Sequence, residues 1–181
     1  DDFYKTRKDR KLLSKNKHTL LMTRGVPGTH DIDLMLNFFK KIKGKNFKIL
    51  QIPTFNKAMD DRYPKSLWQK IKVKPDVIIF EGWCVGAIAQ TSKQLKKPIN
   101  SLEKIYDQDA KWRSYVNNQL KKKYKTLFKQ LDELLYLKAK NFSLLREWRL
   151  KQERKLWLQT KNKKNLKIMN SSDIINFMQT Y

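Results

Sequence analysis

Apolar residues fall along this chain in two patterns, a helical spacing and short continuous runs. Ile32, Met35, Leu36, Phe39 and Ile42 fall three or four residues apart, the spacing that gathers them on one helix face, and the pattern stops at Lys43-Gly44, where Gly44 suits a C-cap. Asp31, just before the first apolar position, predicts the N-cap. A second helix is predicted from the Asn100 and Glu103 capping pattern through Leu102, Ile105, Tyr106, Asp109, Trp112, Val116 and Leu120. Further helical stretches carry Leu127, Leu131, Leu134 and Leu135, then Trp148, Arg149, Gln152, Glu153 and Leu156. Ser171-Ser-Asp173 predicts the start of a last helix with Ile174, Ile175, Phe177 and Met178. Asp76-Val-Ile-Ile-Phe80 is β-branched and apolar on both faces, as a central parallel strand is. Phe47 to Ile52, closed by Pro53, predicts another buried strand, and Leu166 to Met169 a sheet edge. Lys5 to Lys17 is strongly charged and reads as a mobile segment. Strands alternating with helices predict a parallel α/β fold.

Length and composition leave this picture as one domain over residues 1–181: the chain is long enough for a real core and is 40% hydrophobic. Its longest apolar runs, such as Val77 to Phe80, are too short to cross a bilayer, and no charged-then-apolar leader opens it, so no membrane partner and a cytoplasmic location are expected. The single cysteine, Cys84, excludes an internal disulfide and reads as a buried structural thiol; with only His18 and His30 beside it, a zinc site is not credible. Charge changes the picture more. Lys+Arg 41 against Asp+Glu 17 gives +24, which attracts polyanions. Yet the lysines are scattered through every segment, the densest cluster (Lys121 to Lys123) sits between apolar helix positions, and no nucleic-acid-binding module is recognisable. A solvated lysine-rich surface is the expectation, ahead of a polynucleotide site.

Candidate chemistry gathers in loops. Arg24-Gly-Val-Pro-Gly-Thr-His-Asp31 sets two glycines, a proline, an arginine and a histidine directly before the first helix, which reads either as a shaped anion site or as a turn with its N-cap. In an α/β sheet ligands collect beyond the carboxyl ends of strands, where this sequence has Asp1-Asp2, Lys57 with Arg62, and Glu81. Glu81, beside Gly82, suits a Mg²⁺ ligand or a structural carboxylate. Asp1 or Asp2 suits a base toward an attacking hydroxyl, or a solvated pair of acids. Lys57, Arg62 and Arg149 are candidate anion clamps. With glycine only at 25, 28, 44, 82 and 86, no G-x-x-x-x-G-K-[ST] window exists; Gly44-Lys45 has Phe39 where the first glycine belongs.

Together, Asp1-Asp-Phe-Tyr4, Arg24 to Asp31, Phe55-Asn-Lys-Ala-Met-Asp-Asp-Arg62, Phe80-Glu-Gly-Trp83, Pro98-Ile-Asn100 with Leu102-Glu103, and Trp148-Arg149 with Gln152-Glu153 resemble the D-glycerate 3-kinase family. These are P-loop kinases related to uridine kinase, phosphoribulokinase and pantothenate kinase. The resemblance implies a P-loop NTPase-like parallel sheet flanked by helices, with the first strand and P-loop absent from this chain. It further implies transfer of the ATP γ-phosphoryl group to a hydroxyl of D-glycerate with Mg²⁺, Asp1 matching the base and Glu81 the metal-associated acid. Arg24, His30, Asp31, Lys57 and Arg62 are then expected at the acceptor, with Lys57 and Arg62 either there or touching the γ-phosphate, and Arg149 over the nucleotide. Asn56 departs from the aspartate usual there, and the missing Walker A segment implies a truncated chain, inactive alone. The alternative is a non-catalytic basic protein that binds ATP or nucleic acid on a kinase fold.

Overall fold

The structure is a computed structural model that describes residues 1–160 and 166–180. The predicted first helix is α2 (Ile32–Lys43). Asp31 caps it by accepting the Leu34 N–H at 3.2 Å, and its Ile32, Met35, Phe38, Phe39 and Ile42 are buried. Each fully buried side chain of this size contributes about 1.5–3 kcal/mol. They pack with Tyr124 and Leu127 to form the largest core cluster.

The charged segment after Lys5 is ordered, contrary to expectation, as helix α1 (Arg7–Asn16) with Thr6 as its cap. Its anchor is a cation. The Arg10 side chain is fully buried and donates to the carbonyl oxygens of Met22 and Asp60, 2.8 and 2.6 Å away. A short 3₁₀ turn, Thr19–Met22, follows and packs along α1, with Leu21 and Val26 meeting Leu102 and Trp112 in a second apolar cluster.

The helix predicted from Asn100 to Leu120 is two. α4 (Ser101–Tyr106) ends at Asp107, and α5 (Lys111–Gln119) begins after Ala110, which takes a left-handed φ of 58°. Upstream of both, α3 (Ser92–Leu95) is one turn capped by Thr91 and Gln94. Buried Asp107 causes the break: its carboxylate accepts the Trp112 and Arg113 N–H groups at 2.7 and 3.1 Å, so it caps α5 from outside the helix. α5 continues through a π-helical stretch, Leu120–Tyr124, into α6 (Lys125–Phe128). The chain from Leu134 to Leu137 is exposed and not helical, although the Leu134 side chain comes up against Gly86. α7 (Phe142–Thr160) and α8 (Ser171–Met178) pack on each other around Ile174, Phe177 and Met178. The cap of α8 is Asn170, paired with Asp173 in a capping box.

The strands are short. β1 (Leu50–Ile52) pairs antiparallel with β4 (Gln69–Ile71), and β2 (Phe55–Asn56) with β3 (Asp61–Arg62). The α/β class is as expected, but the pairings formed among the described residues are antiparallel. Asp76–Phe80, expected as a central parallel strand, pairs with no described strand and leaves Val77 and Ile79 77% and 88% exposed. β propensity needs an edge to pair with before it makes a strand. Leu166 to Met169 is likewise not a strand, although the Lys167 N–H donates to the Ala58 carbonyl. Among the described residues no helix is long and apolar enough to cross a membrane.

Candidate active site

The loop Arg24 to Asp31 is built inward. Gly25 and Gly28 have φ of 112° and 104°, and a Cβ on Gly28 would lie 2.7 Å from the Tyr115 ring. Their amides are used within the protein: Gly25 N–H donates to Thr29 Oγ1 and Gly28 N–H to the Tyr124 hydroxyl. The loop therefore offers a ligand its side chains, Arg24 and His30, more than a nest of amides.

Those side chains face a cavity of about 250 Å³, also lined by Asp1, Tyr4, Lys57, Glu81, Tyr124 and Arg149. Asp1, Lys57 and Glu81 line a second, more open cavity beside it, whose walls include Phe55, Asn56, Met59, Leu156 and Leu166. Residues from both ends and the middle of the sequence thus converge. Asp1 accepts the Tyr4 hydroxyl at 2.8 Å and is ion-paired with Lys57. Burial, with Arg149 and Arg24 nearby, lowers the Lys57 pKa, while Glu81 and Asp2 oppose that shift.

Arg24 is held by Asp60 at 2.7 Å, and the same carboxylate takes Arg7 at 2.7 Å and Arg10 at 3.0 Å. Sequence reasoning missed Asp60. Its signal was present only as an acid inside the Phe55–Arg62 motif, since nothing local announces three arginines reaching it from elsewhere. Arg149 donates to Gln152 at 2.9 Å and to Glu153 at 2.5 Å, and it lies 5.0 Å from the Phe177 ring. Asp31 and Arg62 do not line either cavity. They pair with each other at 3.3 Å, and Arg62 also donates to the Tyr4 carbonyl. Asp2 accepts the Phe55 N–H and touches the second cavity.

Asn56 uses its carbonyl for the Ala58 and Met59 N–H groups and its amide for the Tyr63 hydroxyl, a turn role that needs no charge. Burial pushes the Cys84 thiol up to about 11, in keeping with a structural residue. His30 is neutral over the physiological range, its pKa lowered to about 3 by burial first and Lys5 among the lesser causes. The arrangement is a polar pocket lined by three cations, Arg24, Lys57 and Arg149, two carboxylates, Asp1 and Glu81, and a neutral imidazole. It suits a small hydroxylated anion.

No family model matches the chain. Over 196 residues, covering all of the chain and 65% of the relative, it is 29% identical to "Uncharacterized kinase mug58" of Schizosaccharomyces pombe. It is 29% identical over 84% of its length to the chloroplastic D-glycerate 3-kinase of Arabidopsis thaliana, of which it covers 33%. The "Probable ATP-dependent kinase TDA10" of Saccharomyces cerevisiae is 36% identical over 48% of the chain and 32% of the relative. Among solved structures, a D-glycerate 3-kinase from Cryptococcus neoformans superposes with a TM-score of 0.78 at 25% identity, all of this chain on 64% of that one. The YGR205w protein superposes with a TM-score of 0.69 at 28% identity, all of this chain on 61% of that one. The chain thus spans between about a third and two thirds of the length of these relatives. Its fold is mixed α/β of the P-loop kinase kind. Within that class it is a relative of D-glycerate 3-kinase and of the kinases grouped with it, as the motifs implied.

Proposed function

We propose that the protein is a kinase that transfers the γ-phosphoryl group of ATP to a hydroxyl of D-glycerate, with this chain supplying the acceptor side. The carrying observation is the cavity in which Asp1, Arg24, His30, Lys57, Glu81 and Arg149 meet. Arg24 and Lys57 are suited to the glycerate carboxylate, and His30 to a hydroxyl. Asp1 accepts the proton of the attacking hydroxyl; the hydroxyl oxygen of glycerate forms the bond to the γ-phosphorus as the bond to the β-phosphate oxygen breaks and ADP departs. Positioning and charge neutralisation, with no covalent enzyme intermediate, carry such a reaction.

The donor set also bears on Mg²⁺. Asp1 is engaged by Lys57, which leaves Glu81, a residue that lines both cavities. Among the described residues no group of three His, Cys, Asp or Glu side chains is placed to hold a metal. One carboxylate fits a cation that keeps several waters and takes its other ligands from substrate phosphates. When bound, Mg²⁺ would offset charge on the transferring group, with Glu81 holding it directly or through water. Arg149, tied to Gln152 and Glu153, is proposed to sit over the nucleotide. No Walker A window exists in these 181 residues, so the phosphates have no such cradle within them.

Calorimetric titration of this chain with D-glycerate, and ATP-dependent phosphorylation of D-glycerate by the full-length protein, test the reading. His30→Ala is expected to weaken glycerate binding by about tenfold or more while ATP affinity stays the same. Glycerate binding unchanged by His30→Ala and by Arg24→Ala would remove the substrate assignment.

A further inference from the structure

Tyr124, which none of the motifs pointed to, is the residue on which His30 rests. It is 2% exposed and ends the π-helical stretch Leu120–Tyr124, in which the Lys125 N–H bonds the Leu120 carbonyl five residues back. Such wide turns change the angular position of a side chain within an otherwise regular helix and are frequent at functional sites. Here the phenol oxygen lies 2.8 Å from the Gly28 N and 2.6 Å from His30 Nδ1.

The directions of these two bonds follow from chemistry. A backbone amide only donates, so the phenol oxygen accepts from Gly28 and its own proton must go elsewhere. Among the described residues no other acceptor bonds the phenol, which leaves His30 Nδ1 as the acceptor. The imidazole proton is then on Nε2, a nitrogen with no hydrogen-bond partner among the described residues, in a ring that lines the cavity. The ring cannot easily turn over. Tyr4 lies against it with centroids 4.9 Å apart and planes tilted by 31°, Tyr124 meets it edge-on at 5.8 Å, and Tyr4 is itself fixed to Asp1.

We infer that Tyr124 is a positioning residue that fixes His30 in the Nε2–H tautomer, so that the neutral ring presents the cavity with a hydrogen-bond donor. A donor there selects an accepting ligand atom, a hydroxyl or carboxylate oxygen, and turns away a group that can only donate. The tautomer stands on the geometry alone; its consequence for the ligand rests on the acceptor-site reading above.

The test is the imidazole ¹H–¹⁵N long-range correlation spectrum of the ¹⁵N-labelled chain at pH 7, with His18→Gln used to assign the His30 signals. The wild-type chain is expected to show a single Nε2–H tautomer. In Tyr124→Phe the Nδ1–H form should rise to a detectable fraction, and D-glycerate binding should weaken by about tenfold, comparable to losing one buried hydrogen bond. A wild-type His30 carrying its proton on Nδ1 overturns the inference, and that reading needs no folded variant. So does an unchanged tautomer in a folded Tyr124→Phe. A shifted tautomer with unchanged glycerate affinity supports the role of Tyr124 and overturns glycerate as the ligand.

Discussion

Asp60 and Arg10 form a 3.0 Å ion pair in which the arginine has no solvent exposure. Arg7 and Arg24 share the same carboxylate, so one buried acid joins α1, the glycine loop and the β2–β3 hairpin. Burial is the larger influence on Arg10 and lowers its pKa, with Asp60 acting against it. Removing the acid leaves buried cations without their counter-charge. Asp60→Asn is therefore expected to destabilise the fold by about 3–5 kcal/mol, the usual cost of breaking a buried pair, read as a shift in the urea midpoint. A midpoint within error of wild type would show that the arginines repartner.

Gly28 combines a φ of 104° with a close approach to Tyr115. Gly28→Ala is expected to cost about 1–3 kcal/mol through backbone strain alone, with the steric clash added. Tyr115→Ala in the Gly28→Ala background removes the clash but not the strain. Recovery in thermal melts should therefore be partial, and full recovery would mean that the backbone relaxes.

Stability should fall in acid partly through His30. Its folded pKa is lowered to about 3, against an ordinary value near 6.5, so between those limits the unfolded chain takes up a proton that the folded chain refuses. This contribution is absent above about pH 6.5 and grows as pH falls toward 3, at up to about 1.4 kcal/mol per pH unit. Denaturant titrations at pH 7, 6, 5 and 4 should show a shallower decline in His30→Gln than in wild type. Parallel curves would contradict the assignment.

The link between α7 and the stretch before α8 runs through Glu153, whose other oxygen accepts the Met169 N–H at 3.1 Å. Glu153→Gln should loosen this link while keeping the volume. Faster amide hydrogen exchange at 169–178, with exchange in α2 unchanged, is the expected result. Uniform acceleration would mean that the pair supports the whole fold.

How far the sequence reaches depends on whether the determinant is local. α2 was legible but for Phe38, because its cap, its stop and most of its face are written within fourteen residues. α1 was not, since its inward anchor is Arg10, and an arginine reads as solvated until the acid fifty residues away is in view. The Asp76–Phe80 run failed in the opposite sense. Its residues suit a strand, but a strand is a relation between two segments, and no described partner lies beside this one. The same division holds at the cavity. Asp1, Arg24, His30, Lys57, Glu81 and Arg149 were singled out from motifs, whereas Asp60 and Tyr124 act on them across long sequence separations.

The Asp60 cluster belongs to a wider pattern among the described residues. Every buried cationic side chain is an arginine: Arg10, Arg24, Arg113 and Arg149, each paired with an acid. The planar guanidinium can satisfy several oxygens at once, as Arg113 does with Asp107 and the Leu95 carbonyl, and an ammonium cannot copy that fork. The two basic residue types therefore divide the labour, one as internal joinery and the other as hydration. Acylating the 33 lysines would carry the net charge from +24 to −9 and leave the frame standing, whereas four arginine-to-lysine exchanges would keep the net charge and take the frame apart.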